Sequence, residues 1–238
     1  MIEGLYSGAS AMQMLAQQQE LISKNLMHVN TSGHRRAVAG VQKRFDEQNL
    51  NTSIDLGPEI ETVAQSFEIG RMANTGRQLD VGIMTDGFLA FGQGDDEYFS
   101  RNGRLFRDAD SGQLVNEDGI PVQGEGGLIT IDTDIPDQNI VIAQDGTISA
   151  DGEELGRLRL VAFEDNRTLV PYGDTKFTRG ENTVESQEAV RLGQFQHELS
   201  NTQPVMELVA LIVNNRQYEA VQKASRSLSE AMSEYIQS

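Results

Sequence analysis

The sequence predicts an α+β fold: long N- and C-terminal helices pairing as a coiled coil, with a central all-β domain of short antiparallel strands. Three observations predict it. Apolar residues recur at heptad spacing near both ends, turn-forming glycines crowd the middle, and the charge is confined to the middle. The 238 residues carry a formal net charge of −17, of which residues 48–186 hold −16, residues 1–47 hold +1 and residues 187–238 hold −2. The composition divides the chain into an N-terminal axial helix (1–45), a connector (46–76), a β domain (77–200) and a C-terminal axial helix (201–238).

The first element is a helix of about 25 residues, roughly 37 Å long at 1.5 Å per residue. Met12, Leu15, Gln19, Ile22, Leu26 and Val29 follow the alternating 3, 4 spacing of a seam, and Leu5 extends it upstream. Ser7 or Ser10 supplies a cap, and Asn30-Thr31-Ser32-Gly33 ends the helix with the usual glycine stop signal. Residues 46–76 are polar and interrupted by Gly57-Pro58, which reads as a connector.

Strand signals begin at Leu79, Val81 and Ile83, which alternate with Asp80, Gly82 and Met84 in the period of a half-buried strand. Short apolar runs follow up to about Phe177, and Asp86-Gly87, Asn102-Gly103, Asp118-Gly119, Asp145-Gly146 and Asp151-Gly152 punctuate them. Such dipeptides supply the positive φ angles of tight hairpins. The last element starts at Pro204, a favourable first-turn residue behind Ser200-Asn201-Thr202. Leu211, Asn214, Tyr218, Val221, Ser225, Leu228, Met232 and Tyr235 continue a second seam. Polar seam members lower stability but fix register and oligomeric state.

Composition excludes several functions. With no cysteine there are no disulfides, thiolate metal sites or cysteine nucleophile. The negative charge repels phosphate backbones, so no nucleic-acid partner is expected. No apolar run approaches the roughly 20 residues that span a bilayer, so no membrane insertion is expected. Met1-Ile2-Glu3 lacks the basic and apolar regions of a cleavable signal. No nucleophile elbow, Walker loop or zinc-protease motif is present, so no enzyme, catalytic residue, cofactor or small-molecule substrate is expected. His28, His34 and His197 have no metal-ligand spacing. Asp108-Ala109-Asp110-Ser111-Gly112 resembles a calcium loop only at its start, because the sixth and twelfth positions hold Gln113 and Gly119 rather than glycine and glutamate. An acidic turn is the simpler reading, and no metal site is expected there or at Asp132, Asp134 and Asp137.

Three motifs in order resemble the bacterial flagellar rod and hook axial protein family. Asn25-Leu26-Met27-His28-Val29-Asn30-Thr31-Ser32-Gly33 is similar to its N-terminal signature. Leu79-Asp80-Val81, Asp86-Gly87-Phe88, Tyr98-Phe99-Ser100-Arg101-Asn102-Gly103 and Leu114-Val115 are similar to its central stretch. Ser200-Asn201, Pro204-Val205 and Arg216-Gln217-Tyr218-Glu219 are similar to its C-terminal one. Met27-His28 and His34 depart from the family pattern. Within the family the short chain argues against the hook protein. The likeness is greatest to the proximal rod protein, with the distal rod protein as runner-up.

The resemblance implies a structural subunit of the flagellar basal-body rod, the drive shaft that transmits torque from motor to hook. It implies helical polymerisation through the terminal helices, with copies of itself and other flagellar axial proteins as partners. It also implies passage through the flagellar export apparatus without signal cleavage, and a periplasmic place in the basal body. On that reading Leu15, Ile22, Asn25, Leu26, Val29, Leu211, Tyr218, Val221 and Leu228 are the expected subunit-interface residues, although the same stripe also serves an ordinary core. A secreted coiled-coil fibre or adhesin-like protein is the alternative.

Overall fold

The structure, a computed structural model, describes residues 2–46, 54–92 and 94–237. The chain forms two compact units, one of Met1–Met27, Arg36–Ser66 and Thr202–Ser238, the other of His28–Arg35 and Phe67–Asn201.

The first unit holds helix α1 (Ile2–Met27), strands β1 (Ala37–Asp46) and β2 (Ile54–Gln65), and helix α2 (Pro204–Gln237). The helices run antiparallel: Gly4 lies beside Leu228, Gly8 beside Ser225, and the Asn214 amide donates to Gln18 Oε1 at 3.3 Å. Glycine at position 8 permits the close approach, since an added Cβ would sit 2.6 Å from Ser225 Oγ. Strands β1 and β2 form an antiparallel ribbon with register shifts at Gly40/Val41 and Arg44/Phe45. The ribbon packs along α1, where Ser10 Oγ donates to the Pro58 carbonyl at 2.8 Å. Near the end of α1, the Asn25 side chain acts as a surrogate strand. Its Nδ2 donates to the Ala37 carbonyl and its Oδ1 accepts from the Ala37 N–H, both at 2.9 Å.

The expected coiled coil needs correction. Among the described residues there are two α-helices, which do pair, and a central β domain, but α1 does not present a two-residue-per-heptad seam. Gln19, expected in the seam, is exposed, and the neighbouring Gln18 takes the interface position. Ala11, Met12, Met14, Leu15, Gln18, Leu21, Ile22, Asn25 and Leu26 are all at least half-buried. That face is wider than a coiled-coil seam because α1 is covered by the β ribbon as well as by α2. Val29 falls beyond the end of α1 at Met27. On α2 the expected seam from Leu211 to Met232 is at least half-buried, and Tyr235 lies outside the residues whose side chains are described. Within 46–76, residues 47–53 lie outside the described residues, and strands occupy Ile54–Gln65 and Met72–Asn74.

The second unit is built on a six-stranded antiparallel sheet. Its order is Leu169–Pro171, Lys176–Arg179, Tyr98–Ser100, Phe88–Phe91, Leu160–Phe163 and Glu185–Ser186. Phe88-Leu89-Ala90-Phe91 is buried at every residue because the sheet has a core on each face. Leu89 and Phe91 join Val81, Ile83, Leu105, Leu114 and Ile131 on one side, while Phe88 and Ala90 join Phe99, Phe163 and Phe177 on the other. A continuous apolar run is what such a doubly covered strand requires. A second sheet of Ile140–Ile142, Thr147–Ala150 and Glu153–Arg157 adds Ile140, Ile142 and Ile148 to the larger core. Asp80 is buried rather than solvent-facing, and it pairs with Arg77 at 2.8 Å.

The motif residues of this unit converge on a buried ionic knot. Glu198, fully buried, accepts from Arg35 Nη1 at 2.7 Å, Arg101 Nε at 2.6 Å and the Gly70 N–H at 2.5 Å. Two guanidiniums on one carboxylate leave a surplus positive charge, which backbone carbonyls satisfy. Arg101 donates to the carbonyls of Ile83, Thr85 and Gly87, and Arg35 donates to that of Glu68. Burial pulls the Arg35 guanidinium below its ordinary pKa, against the opposing attraction of Glu198. Gly103 admits the strand beside the knot, since an added Cβ would fall 1.8 Å from the Val81 carbonyl oxygen. Gly33 lies at φ +71° with its Cα against the Asn102 backbone, six residues beyond the end of α1, so the glycine expected to stop the helix serves instead as a packing glycine.

Candidate assembly interface

The first three turns of α2 carry an inverted pattern. The buried positions include Glu207 (1% exposed) and Asn214 (3% exposed), both polar. Glu207 is held by Arg36 Nε and Asn214 by Gln18. Facing outward are Val205, Met206, Leu208, Val209, Ile212 and Val213, each between 48% and 71% exposed. Side chains of this size expose on the order of 500 Å² of contiguous apolar surface, the upper end of what a monomer shows outside an interaction site. An amphipathic helix of a self-sufficient unit is arranged the other way.

The expected interface residues divide into two groups. Leu15, Ile22 and Asn25 are buried within the first unit. Leu26, Leu211, Tyr218, Val221 and Leu228 are half-buried there, and Val29 is half-buried in the second unit. Asn25 has a use inside the chain, the two hydrogen bonds to Ala37. A single 3, 4 seam does not show the outward stripe. Pro204 through Val213 is apolar at eight of ten positions, and that density on a helix with a partner on one side is the signal that marks it.

No described helix is long and apolar enough to cross a membrane, and no group of three or more His, Asp or Glu among the described residues is arranged to hold a metal ion. The histidines are used in packing. The rings of His28 and His34 stack at 4.8 Å, with His28 Nε2 3.4 Å from the Asp174 carboxylate and His34 Nδ1 2.8 Å from the Asp174 carbonyl oxygen. Asp108 closes a turn, accepting from Ser111 Oγ at 2.7 Å and from the Ser111 N–H at 2.8 Å. The Ser111 hydroxyl, seconded by that N–H, lowers the Asp108 pKa.

Residues 82–150 match the family described as the flagellar hook protein FlgE/F/G D1 domain, and residues 194–237 match the flagellar basal body rod FlgEFG protein C-terminal family. The flagellar basal-body rod protein FlgF of Caulobacter vibrioides is 30% identical over 97% of this chain and 95% of its own length. The chain belongs to the flagellar basal-body rod protein family. FlgF of Salmonella typhimurium is likewise 30% identical over 97% of the chain and 95% of its own. FlgG of Bacillus subtilis is 26% identical over 99% of the chain and 98% of its own. The resemblance seen in the three motifs therefore extends to the whole length of rod proteins, and it remains greatest to the proximal rod protein. The two family matches cover the strands around Arg101 and the whole of α2, so they include both the ionic knot's central arginine and the outward stripe.

Proposed function

We propose that the chain is a structural subunit of the bacterial flagellar basal-body rod, polymerising helically through its terminal helices into the shaft that carries torque from motor to hook. The carrying observation is likeness to basal-body rod proteins along almost the entire chain at matched length. The outward apolar stripe of α2 supports assembly through the helices. Covering on the order of 500 Å² of apolar surface contributes roughly 12 kcal/mol gross, against the translational and rotational cost of association. A repeated contact that does not close into a ring produces a filament.

In this reading the nine seam residues serve assembly from within. Leu15, Ile22 and Leu26 on α1 and Leu211, Tyr218, Val221 and Leu228 on α2 set the phase of the helix pair, Asn25 ties α1 to the ribbon, and Val29 serves assembly from the second unit. The outward stripe then makes the contact between subunits. Partners are copies of the chain and other axial proteins, delivered by the flagellar export apparatus without signal cleavage to the periplasmic rod. The subunit performs no catalysis. The fibre or adhesin alternative has no support from the relatives.

Mass spectrometry of hook–basal bodies purified from the source bacterium tests this reading. The protein is expected in them, and lost from them when the export apparatus is deleted. Basal bodies that lack it, with the protein abundant elsewhere in the cell, overturn the assignment.

A further inference from the structure

The second unit carries an open cleft that neither the ionic knot nor the proposed assembly surface uses. It consists of two cavities of about 650 and 680 Å³ that share Tyr98, Tyr172 and Lys176. Its polar centre leaves one donor unspent. Asn116 Oδ1 accepts from the Asp118 and Ile120 N–H groups, both at 2.9 Å, which fixes the orientation of the amide. Asn116 Nδ2 therefore donates to Tyr98 Oη, 2.8 Å away, and the phenol acts there as an acceptor. The hydroxyl hydrogen of Tyr98, a residue only 4% exposed, has no acceptor among the described residues. A buried tyrosine hydroxyl ordinarily finds one. Burial, seconded by Asp118, raises the Tyr98 pKa, so the phenol keeps this hydrogen to donate. Lys176 brings a second donor group. Its ammonium reaches Asp118 at 2.6 Å and lies 5.1 Å from the centre of the Tyr98 ring, with hydrogens to spare.

We propose that this cleft binds a neutral saccharide. Its size, with a few polar groups converging beside apolar ones, is that of a small-ligand site. The pairing of the charges makes the ligand neutral. All three carboxylates lining the first cavity already have basic partners: Glu117 has Arg104 at 2.7 Å, Asp118 has Lys176 at 2.6 Å, and Asp174 has His28 Nε2 at 3.4 Å. A cation finds no carboxylate unpaired there, and an anion faces three. The unspent groups are donors, which call for hydroxyl or acetamido oxygens, and the carboxylates beside them accept from hydroxyls in return. The ligand also needs an apolar face, because Tyr172, 63% exposed, lines the second cavity with Ile120 and Pro121. A hydroxylated ring with a C–H face meets all of these demands. An extended peptide meets fewer, since it pairs along a strand edge, and the edge strand beside Tyr172, Leu169–Pro171, ends in a proline with no N–H. The inference does not depend on the rod reading, because no residue of the first unit lines the cleft.

Isothermal titration of the full chain with the neutral trimer of N-acetylglucosamine tests the site, and saturable binding is expected. Tyr98→Phe keeps the ring that stacks on Phe91 at 5.3 Å but deletes the donor, and is expected to weaken binding at least about fivefold. Tyr172→Ala removes an exposed ring and is expected to weaken it at least about tenfold. Circular dichroism checks both folds, and Tyr172→Ala decides the matter should Tyr98→Phe fail to fold. Tyr6→Ala removes a similarly exposed ring from the first unit and is expected to change nothing. Trigalacturonate, an acidic trisaccharide, and an uncharged tetrapeptide are expected to bind more weakly than the trimer. Tighter binding of either overturns the ligand class. No saturable binding up to about 10 mM trimer, or binding that Tyr98→Phe and Tyr172→Ala both leave unchanged, overturns the site. Retention on insoluble chitin as well as trimer binding marks a glycan strand as the source, and trimer binding alone marks a free oligosaccharide; both uphold the inference. Neither result touches the rod assignment, which the basal-body measurement decides.

Discussion

Replacing Glu198 by glutamine removes one charge from the ionic knot while keeping its shape. The wild-type carboxylate is fully buried and accepts three hydrogen bonds, two of them from guanidiniums. Glutamine retains one acceptor oxygen and turns an amide toward an arginine that already has its donors. Arg35 and Arg101, each 2% exposed, are then left as two like charges with only carbonyl dipoles to oppose them. Removing one partner of a buried ion pair costs about 3–5 kcal/mol. The upper end applies here, because one residue serves both arginines. For a chain of this size 1 kcal/mol corresponds to roughly 2–4 °C in melting temperature, so the variant is expected to melt about 10–20 °C lower. Denaturant titration and calorimetry on the full-length chain measure this, with Arg101→Lys as a second probe, since lysine cannot reproduce the forked contacts to Ile83, Thr85 and Gly87. A Glu198→Gln loss below about 1 kcal/mol would refute the reasoning, because it would show the carboxylate is not what balances the two guanidiniums.

Three further outcomes follow from other sites. Asn25→Ala leaves the Ala37 N–H and carbonyl without their partner, and is expected to cost roughly 2–4 kcal/mol and to speed hydrogen exchange at Ala37 selectively; unchanged exchange there argues against the surrogate-strand role. Gly103→Ala is expected to unfold the second unit or lower its melting point sharply, because the new methyl would meet the Val81 carbonyl oxygen at 1.8 Å; a folded, equally stable variant defeats that account. Asp108 should titrate by carbon-detected NMR below its ordinary pKa of 3.8, and Ser111→Ala should move it back up. The depressed value means that the associated stability is present above the unfolded-state pKa and fades as pH falls through the folded one. An Asp108 midpoint unmoved by Ser111→Ala removes the hydroxyl as the cause.

The sequence by itself determined that a long helix lies near each end and that short strands with glycine turns lie between them. Those features are local. Pro204 marks the start of α2 through backbone conformation, and Asp-Gly pairs mark turns through positive φ, whereas α1 stops at Met27, ahead of the expected stop signal at 30–33. The three motifs also carried the family, since they preserve spacing along the chain. Tertiary structure decided the rest. The phase of α1 could not be read from a 3, 4 repeat, because its wide buried face reflects two covering elements, and this puts Gln18 rather than Gln19 inward. Strand β2 was hidden because register shifts at Gly40/Val41 and Arg44/Phe45 break the period-two pattern in the ribbon. The partnership of Arg35, Arg101 and Glu198 joins positions up to 163 residues apart, and no local signal links them. The inverted polarity of α2 needed the structure for the same reason. The apolar residues of 205–213 are plain in the sequence, but which of them face outward depends on where the rest of the first unit lies.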